Sequence, residues 1–308
     1  MSSFYQKTIN RQIEFTGVGL HNGKEVKMKL IPASPNHGIV FKRTDLKVKN
    51  IIPATVENVS KAVLCTTIRN EFGVTVSTIE HLMGALQGED IDNLLIELNS
   101  SELPIMDGSA KEFVEQIRKA GIKNYDTSRK FIKVLKKYEL SIDSKFISIE
   151  PYDNDLKIDF EIIYKNKLIN RQRKSISLSS ANGVLDQVYN SRTFCLFEDV
   201  ENIKRLGLGK GGSLENAVVV KDDKILNEEG LRHKDEFVMH KILDCMGDLM
   251  LSNYKILGKV KCSQGGHQLT NNLLREFLSE SKHFSIVEFK EKKLPNSSFY
   301  RRPVAVSA

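Results

Sequence analysis

The sequence of 308 residues predicts an α+β fold. Residues 25–31 alternate apolar side chains with lysines, the period-2 pattern of a half-buried strand. Residues 131–164 contain three further strand-like runs, and residues 235–251 form a long apolar segment typical of a buried helix. Because strands and helices do not alternate strictly, a parallel βαβ sheet is not expected. Hydrophobic residues make up 40% of the chain, which is enough for a sizeable core.

The first half of the chain is predicted to combine strands with two helices. The glycine-rich segment GVGLHNG, just before the strand over residues 25–31, predicts a hairpin turn. The later elements are a helix over residues 77–86, a strand over residues 93–98 and a helix over residues 109–120 that Gly121 closes.

A polar segment without periodicity, GIKNYDTSRK, separates this block from a new run of strands. We therefore expect a first domain over residues 1–124 and a second over residues 125–308. In the second domain an antiparallel meander is expected first, followed by further elements after a glycine cluster. These elements are strands over residues 131–142, 146–150, 156–164, 217–220 and 255–262, a helix over residues 235–251 and a final helix after Gly265 and Gly266.

Composition indicates a cytoplasmic globular protein. No segment approaches the ~18 apolar residues that a membrane span requires, and the N-terminus lacks the apolar stretch of a signal peptide. The four cysteines form no CxxC pair, so neither a disulfide framework nor a cysteine zinc site is indicated. The net charge of +7 is spread along the chain, and without a dense basic block it does not predict a nucleic-acid partner.

One face of the helix predicted over residues 235–251 carries a narrow polar stripe. At ~100° per residue, His240, Asp244 and Asp248 fall within about 80° of one another, and Lys241 borders them. Nearly every other position is apolar, so the stripe is expected to be buried, where charges need partners. A histidine four residues before an aspartate places two metal-capable groups within reach of one ion. The alternative is an ordinary surface stripe of charges.

A second candidate motif is VSTIEHLMGAL, in which Glu80 and His81 are adjacent near a predicted helix start. Ser77 and Glu80 match an S-x-x-E capping box, which alone would account for the glutamate, and His81 could be an ordinary core histidine. As a metal ligand, His81 would benefit from the helix dipole, which opposes protonation of the imidazole.

If His81 joins His240 and Asp244, the set offers three nitrogen and oxygen ligands and leaves a fourth position open, as in catalytic zinc sites. Zinc lowers the pKa of water towards ~7, and Glu80 is placed to accept the proton when that water attacks an amide carbonyl. The residues alone therefore predict a metallohydrolase.

A third motif, SQGGHQL, places His267 after two glycines at the start of a helix. His267 could protonate a leaving amine or stabilise an oxyanion, with Asp248 as its partner. The alternative is a turn followed by a helix-start histidine without a catalytic role.

Taken together, these segments resemble the UDP-3-O-acyl-N-acetylglucosamine deacetylase family, zinc enzymes that commit bacteria to lipid A synthesis. The resemblance spans nearly the whole chain. It runs through TGVGLHNG, GIVFKRTDL, STIEHLMGAL, LPIMDGSAKEFV, SRTF, GGSLENAVV, HKILDCMGD and GGHQL, in that order.

The resemblance implies two similar two-layer α/β sandwich domains that face each other, with one Zn²⁺ in the cleft between them. It implies hydrolysis of the N-acetyl group of UDP-3-O-(3-hydroxyacyl)-N-acetylglucosamine to acetate and a free 2-amine. It further implies a monomer in the cytoplasm of a Gram-negative bacterium, without stable membrane insertion.

The resemblance also implies roles for individual residues. The zinc ligands are His81, His240 and Asp244, and the general base is Glu80. The remaining catalytic residues are His267 as the second acid/base group, Asp248 as its partner, Thr193 as the oxyanion stabiliser and Lys241 near the sugar and phosphate. The family often carries a lysine just before its GH motif, where this chain has Gln264 and Gly265.

An insert over about residues 193–220 resembles the family's apolar tunnel for the substrate's acyl chain. Ordinary core packing is the alternative for any single residue of the tunnel, and an edge-strand position is the alternative for Tyr164, which resembles an aromatic that stacks on uracil. The expected substrate contacts are Leu20, Tyr164, Phe194, Val200, Gly212, Ser213, Leu214, Ala217 and Val219.

Two rival functions remain open at this stage. One is a metallohydrolase that uses the same centre on a different acylated substrate. The other is a basic scaffold that binds RNA through its sheets, which would be sensitive to salt and would need neither zinc nor Glu80.

Overall fold

The computed structural model describes residues 4–179, 183–289 and the backbone of residues 303–305, and it confirms the α+β class. The helices are α1 (Glu80–Gly88), α2 (Lys111–Ala120), α3 (Val184–Tyr189), α4 (Phe197–Arg205), α5 (Glu236–Leu249) and α6 (His267–Ser279), with short 3₁₀ turns at Val56–Asn58, Met250–Ser252 and Ser281–His283. The strands are β1 (Tyr5–Ile9), β2 (Ile13–Val18), β3 (Glu25–Pro32), β4 (Ile39–Arg43), β5 (Ile51–Pro53), β6 (Val59–Lys61), β7 (Thr67–Arg69), β8 (Thr75–Ser77), β9 (Leu94–Leu98), β10 (Ile122–Ser128), β11 (Lys130–Val134), β12 (Tyr138–Ile142), β13 (Lys145–Glu150), β14 (Leu156–Ile163), β15 (Arg171–Ser177), β16 (Phe194–Leu196), β17 (Val218–Lys221), β18 (Lys224–Ile225), β19 (Lys255–Ser263), β20 (Phe284–Phe289) and β21 (Pro303–Ala305).

The first half of the chain forms a five-stranded sheet in the order β2-β3-β9-β4-β5. In β3 the apolar Val26, Met28 and Leu30 are fully buried while the intervening lysines are exposed, so the predicted half-buried strand is confirmed. The predicted hairpin is also confirmed, because β2 and β3 pair antiparallel across the glycine-rich turn. Three short strands, β6, β7 and β8, form a separate sheet.

The second half of the chain forms an eight-stranded sheet, and here the predicted meander is wrong. Strand β19 lies at its centre, parallel to β11 and β14 and antiparallel to β13. The run predicted as one strand over residues 131–142 is two strands, β11 and β12, which lie apart in the sheet. Because β19 is largely buried, it takes the central position although it comes late in the chain.

Most of the polar segment GIKNYDTSRK, which was expected to separate the two domains, forms strand β10. Strand β10 pairs antiparallel with β1, so the first and last parts of the N-terminal half are joined. Its side chains are exposed or half-buried throughout, which explains why the sequence shows no apolar alternation there. The boundary expected after residue 124 falls inside this strand.

Helices α1 and α5 pack against each other, and this contact brings the two halves of the chain together. Helix α5 also packs on β14 and β15, while α6 packs on α5, β12 and β13. A Cβ atom on Gly247 of α5 would lie 2.0 Å from the carbonyl oxygen of Glu80, so the backbones of the two helices touch at this point. None of the helices described here is long and apolar enough to cross a bilayer.

We expect Gly247→Ala to lower the free energy of unfolding by about 2–3 kcal/mol, because the new methyl group meets rigid backbone at the α1–α5 contact. The gain of about 1 kcal/mol in helix propensity does not offset this clash. Chemical denaturation measures the change. Gly266→Ala is the control, since nothing lies within 4 Å of its added Cβ atom and its backbone is extended. Equal stability of Gly247→Ala and wild type would contradict the close helix contact.

Candidate active site

Helix α1 begins at Glu80, and the capping box predicted for Ser77 and Glu80 does not form. Ser77 ends β8, and its hydroxyl donates to the carbonyl oxygen of Ser101. Thr78 then turns the chain into the helix with a positive φ of 58°. The Glu80 carboxylate is buried and accepts a hydrogen bond of 3.0 Å from the backbone N–H of Thr66. The Glu80 carboxylate is therefore positioned by Thr66 and does not cap its own helix.

The polar stripe of α5 is buried, as its apolar surroundings predicted. His240, Asp244 and Asp248 are each less than 5% exposed, and Lys241 is half-buried at the edge of the stripe. The four side chains lie where α5 meets α1 and α6, so they face His81 and His267 rather than solvent. The alternative of a solvated charge stripe is excluded by this burial.

His81, His240 and Asp244 form a compact cluster. The ligand atoms that the three residues offer lie within 4.8 Å of one another, and Oδ1 of Asp244 is 3.5 Å from Nε2 of each histidine. That oxygen is buried and makes no hydrogen bond to the described residues. The carbonyl oxygen of Ser191 lies 3.1 Å from Nδ1 of His240, so Nδ1 carries the proton and Nε2 is left with its lone pair towards the cluster.

A buried carboxylate oxygen without a hydrogen-bond partner is costly unless a cation binds to it. Two imidazole nitrogens and one carboxylate oxygen converge on one point, which is the donor set that divalent zinc accepts. The residues present therefore fit a divalent metal ion.

Beside this cluster lies a hydrogen-bonded chain of four residues. Nδ1 of His267 donates to Oδ2 of Asp248 at 2.8 Å, and the hydroxyl of Thr66 donates to the other Asp248 oxygen at 2.6 Å. Nε2 of His267 is 3.8 Å from Oε1 of Glu80. Thr66 thus holds both Glu80 and Asp248, and the two carboxylates flank the imidazole. No pattern in the sequence marked Thr66 as part of this chain.

The environment sets the charge of each group. Burial lowers the pKa of His240 to about 3, which leaves it neutral and able to act as a ligand. Burial raises the pKa of Glu80 above the ordinary value for a glutamate. For His267, burial acts against the charged form, but Asp248 and Glu80 outweigh it and raise the pKa to about 10. A protonated imidazole therefore stands beside a carboxylate of increased basicity at neutral pH.

Lys241 and Thr193 border the centre. Nζ of Lys241 donates to Oδ2 of Asp244 at 2.7 Å and lies 5.6 Å from the centroid of the Phe194 ring. The backbone of Thr193 is held on both sides, by the carbonyl oxygen of Gly108 and by the N–H of Val218. Its hydroxyl makes no hydrogen bond to any residue that the structure describes, so it is available as a donor.

An apolar cavity of about 420 Å³ adjoins Thr193. It is bounded by α4, the glycine-rich loop after α4 and the turn between β2 and β3. Tyr164 is not among its lining residues, and its ring packs edge-on against that of Phe194 at 5.7 Å. Every other residue expected to contact substrate lines the cavity, namely Leu20, Phe194, Val200, Gly212, Ser213, Leu214, Ala217 and Val219.

Sequence reasoning missed a buried ion pair that supports the site. Arg192, whose side chain is 1% exposed, pairs at 2.8 Å with Glu236 at the start of α5, and a second glutamate, Glu229, also contacts its guanidinium. Arg192 lies between Ser191, whose carbonyl meets His240, and Thr193 at the cavity. The pair therefore ties the segment that orients a cluster histidine to the helix that carries it. The SRTF motif was the only sequence signal for this segment.

Comparisons with known proteins find similarity to one kind of enzyme. A family model described as UDP-3-O-acyl N-acetylglycosamine deacetylase matches residues 6–279. A UDP-3-O-acyl-N-acetylglucosamine deacetylase of Mannheimia succiniciproducens is 42% identical over 289 residues, which cover 94% of each chain. Proteins with the same description from Haemophilus influenzae strain PittEE and Actinobacillus pleuropneumoniae serotype 3 are 41% and 40% identical, again over 94% of each chain.

We expect Glu236→Ala to lower the free energy of unfolding by about 3–5 kcal/mol, because it leaves the buried Arg192 guanidinium without its main partner. Thermal and chemical denaturation measure this change. The matched control is Glu201→Ala, which breaks an exposed pair with Arg205 and should cost at most about 0.5 kcal/mol. Similar losses of unfolding free energy in the two variants would show that the buried pair stabilises the fold no more than an exposed pair does.

Proposed function

The chain belongs to the UDP-3-O-acyl N-acetylglycosamine deacetylase family, and from this membership we propose its reaction and the residues that carry it out. It deacetylates a UDP-3-O-acyl-N-acetylglucosamine, as its relatives are described to do, and this is the step that commits the sugar to lipid A. The bond broken is the amide between the acetyl group and the 2-amine, and the products are acetate and the free amine.

We further propose that one Zn²⁺ ion binds to His81, His240 and Asp244. The observation that carries this is the buried Oδ1 of Asp244, which has no hydrogen-bond partner in the described part of the chain and lies equidistant from two imidazole nitrogens. When bound, the ion supplies Lewis acidity, which polarises an amide carbonyl and makes water more acidic. Iron(II) accepts the same nitrogen and oxygen donors, so the metal in the cell is decided by supply as well as by the site.

The protein's own residues supply the proton transfers. Glu80, with its raised pKa, takes a proton from the attacking water. His267, which carries a proton at neutral pH, gives it to the departing amine, and Asp248 holds the imidazole in the orientation for that transfer. The hydroxyl of Thr193 donates to the oxyanion that forms from the amide carbonyl oxygen.

The substrate's remaining groups have matching surroundings. The cavity beside Thr193 is apolar and large enough to take much of an acyl chain. Lys241 at the edge of the centre suits the sugar and phosphate, and Tyr164 offers an aromatic surface for the base. The cytoplasmic location and the monomeric state remain predictions.

A set of variants should distinguish the metal ligands from the general base, because the two groups affect metal content and turnover differently. His81→Ala and Asp244→Ala should lose the metal and the activity together. Glu80→Gln should retain the metal and lose turnover about 10²–10⁴-fold, because only the proton acceptor is removed. Elemental analysis and a deacetylation assay on the same samples measure both quantities.

The control for this set is Glu57→Gln, a change at an exposed residue that should alter neither quantity. Wild-type turnover in Glu80→Gln would exclude Glu80 as the base. Full activity in metal-free protein would exclude the metal mechanism altogether.

The role of the cavity predicts a preference between two substrates. Wild type should deacetylate the 3-O-acylated UDP-sugar with a kcat/KM at least about tenfold above that for the sugar without its acyl chain, since several buried methylenes contribute. Ala217→Phe, which fills the cavity, should reduce this ratio, whereas Ala217→Ser should preserve most of it. Equal turnover of both substrates by the wild type would show that the cavity does not hold the acyl chain.

A further inference from the structure

A patch of exposed apolar side chains surrounds the opening of the cavity. Leu64, Phe197 and Leu214 line the cavity and are each 45–48% exposed. Val63 directly precedes Leu64, Leu206 directly follows α4, and the two are 54% and 70% exposed. These five residues, the cavity rim, come from two distant parts of the sequence, which meet at the cavity through Leu64, Phe197 and Leu214. Burying such side chains away from water is favourable, so a rim of this kind marks an interaction surface.

Helix α4 has the character of an interfacial helix. None of its residues is buried, although its apolar Phe197, Val200 and Ile203 lie on the side of the cavity. Glu198 and Asp199 lie in the first turn of α4, and Lys204 and Arg205 lie in its last turn, directly before Leu206. The third acidic residue, Glu201, pairs with Arg205, so Lys204 is the cation of this turn without an acidic partner among the described residues. The end of the helix that presents the most exposed apolar residue of the rim is therefore basic.

Further cations surround the rim without acidic partners. Lys204, Lys210 and Lys61 form no ion pair with any described carboxylate. Lys210 is hydrogen-bonded through its backbone to His21, which lines the cavity, and Lys61 acts electrostatically on the same histidine. Apolar side chains among unpaired lysines are complementary to a surface with an apolar interior and anionic headgroups.

We propose that the chain docks reversibly on anionic phospholipid bilayers through the cavity rim. The rim side chains enter the headgroup region, the lysines contact lipid phosphates, and the apolar cavity opens onto the acyl layer. An acylated sugar could then pass its chain from the bilayer into the cavity without crossing water. This last point rests on the proposed function, whereas docking itself does not.

Vesicle flotation tests the proposal with the full chain and without substrate. We expect binding to vesicles of phosphatidylcholine with phosphatidylglycerol, and much weaker binding to phosphatidylcholine alone. Leu206→Asp combined with Val63→Asp should weaken binding at least about tenfold, because two apolar side chains no longer insert. Val48→Asp is the matched control, since Val48 is as exposed as Leu206, at 71%, but lies away from the rim.

Each outcome decides the proposal. Absence of vesicle binding by the wild type, or equal weakening by the rim variant and by Val48→Asp, would overturn it. A dimer of the wild type that the rim variant dissociates, seen by sedimentation velocity, would overturn it in favour of a second copy as the occupant. If the protein binds vesicles but has no deacetylase activity, docking stands and the proposed function is refuted. If it deacetylates the UDP-sugar normally but does not bind vesicles, the proposed function stands and docking is refuted.

Discussion

The site depends on one electrostatic constraint, the burial of the Asp244 carboxylate between the imidazoles of His81 and His240. One of its oxygens is neutralised by Lys241, and the other has no partner among the described residues. A buried carboxylate oxygen without a partner is unfavourable, and a cation bound at that oxygen removes this cost. The backbone contact at Gly247 joins α1 to α5, and the buried pair of Arg192 with Glu236 joins α5 to the segment that contacts His240, so both hold the elements of this arrangement together.

Burial and the neighbouring carboxylates together explain why His240 and His267 have different roles. Burial makes His240 a neutral ligand, whereas the carboxylates around His267 keep that imidazole charged. The two histidines thus have opposite protonation in one small volume, and each has the charge that its role requires. Thr66 donates hydrogen bonds to the carboxylates of both Glu80 and Asp248. A single residue therefore positions the proposed base and the carboxylate that holds the proposed acid, His267.

Sequence patterns predicted those features that depend on local periodicity. The half-buried strand β3 follows from the alternation of apolar and polar residues, because successive side chains of a strand point to opposite faces. The buried stripe on α5 follows from its narrowness, because a solvent-exposed helix face would carry polar residues over a wider arc. The order of the second sheet could not be predicted, since β19 pairs with strands up to 124 residues earlier in the chain. The capping box predicted for Ser77 was wrong because the Glu80 carboxylate does not cap its own helix. It accepts a hydrogen bond from the backbone N–H of Thr66 instead. The pairing of Arg192 with Glu236 spans 44 residues and has no sequence signature.

The central claim is that a metal ion occupies the point defined by His81, His240 and Asp244. X-ray absorption spectroscopy at the zinc edge, on the protein as purified or loaded with one equivalent of zinc, tests it most directly. We predict a first shell of nitrogen and oxygen only, at about 2.0–2.2 Å, with the multiple-scattering pattern of two imidazoles. A sulfur scatterer at about 2.3 Å, which would place the ion on a cysteine such as Cys65, or a spectrum of hydrated zinc without imidazole, would contradict the account.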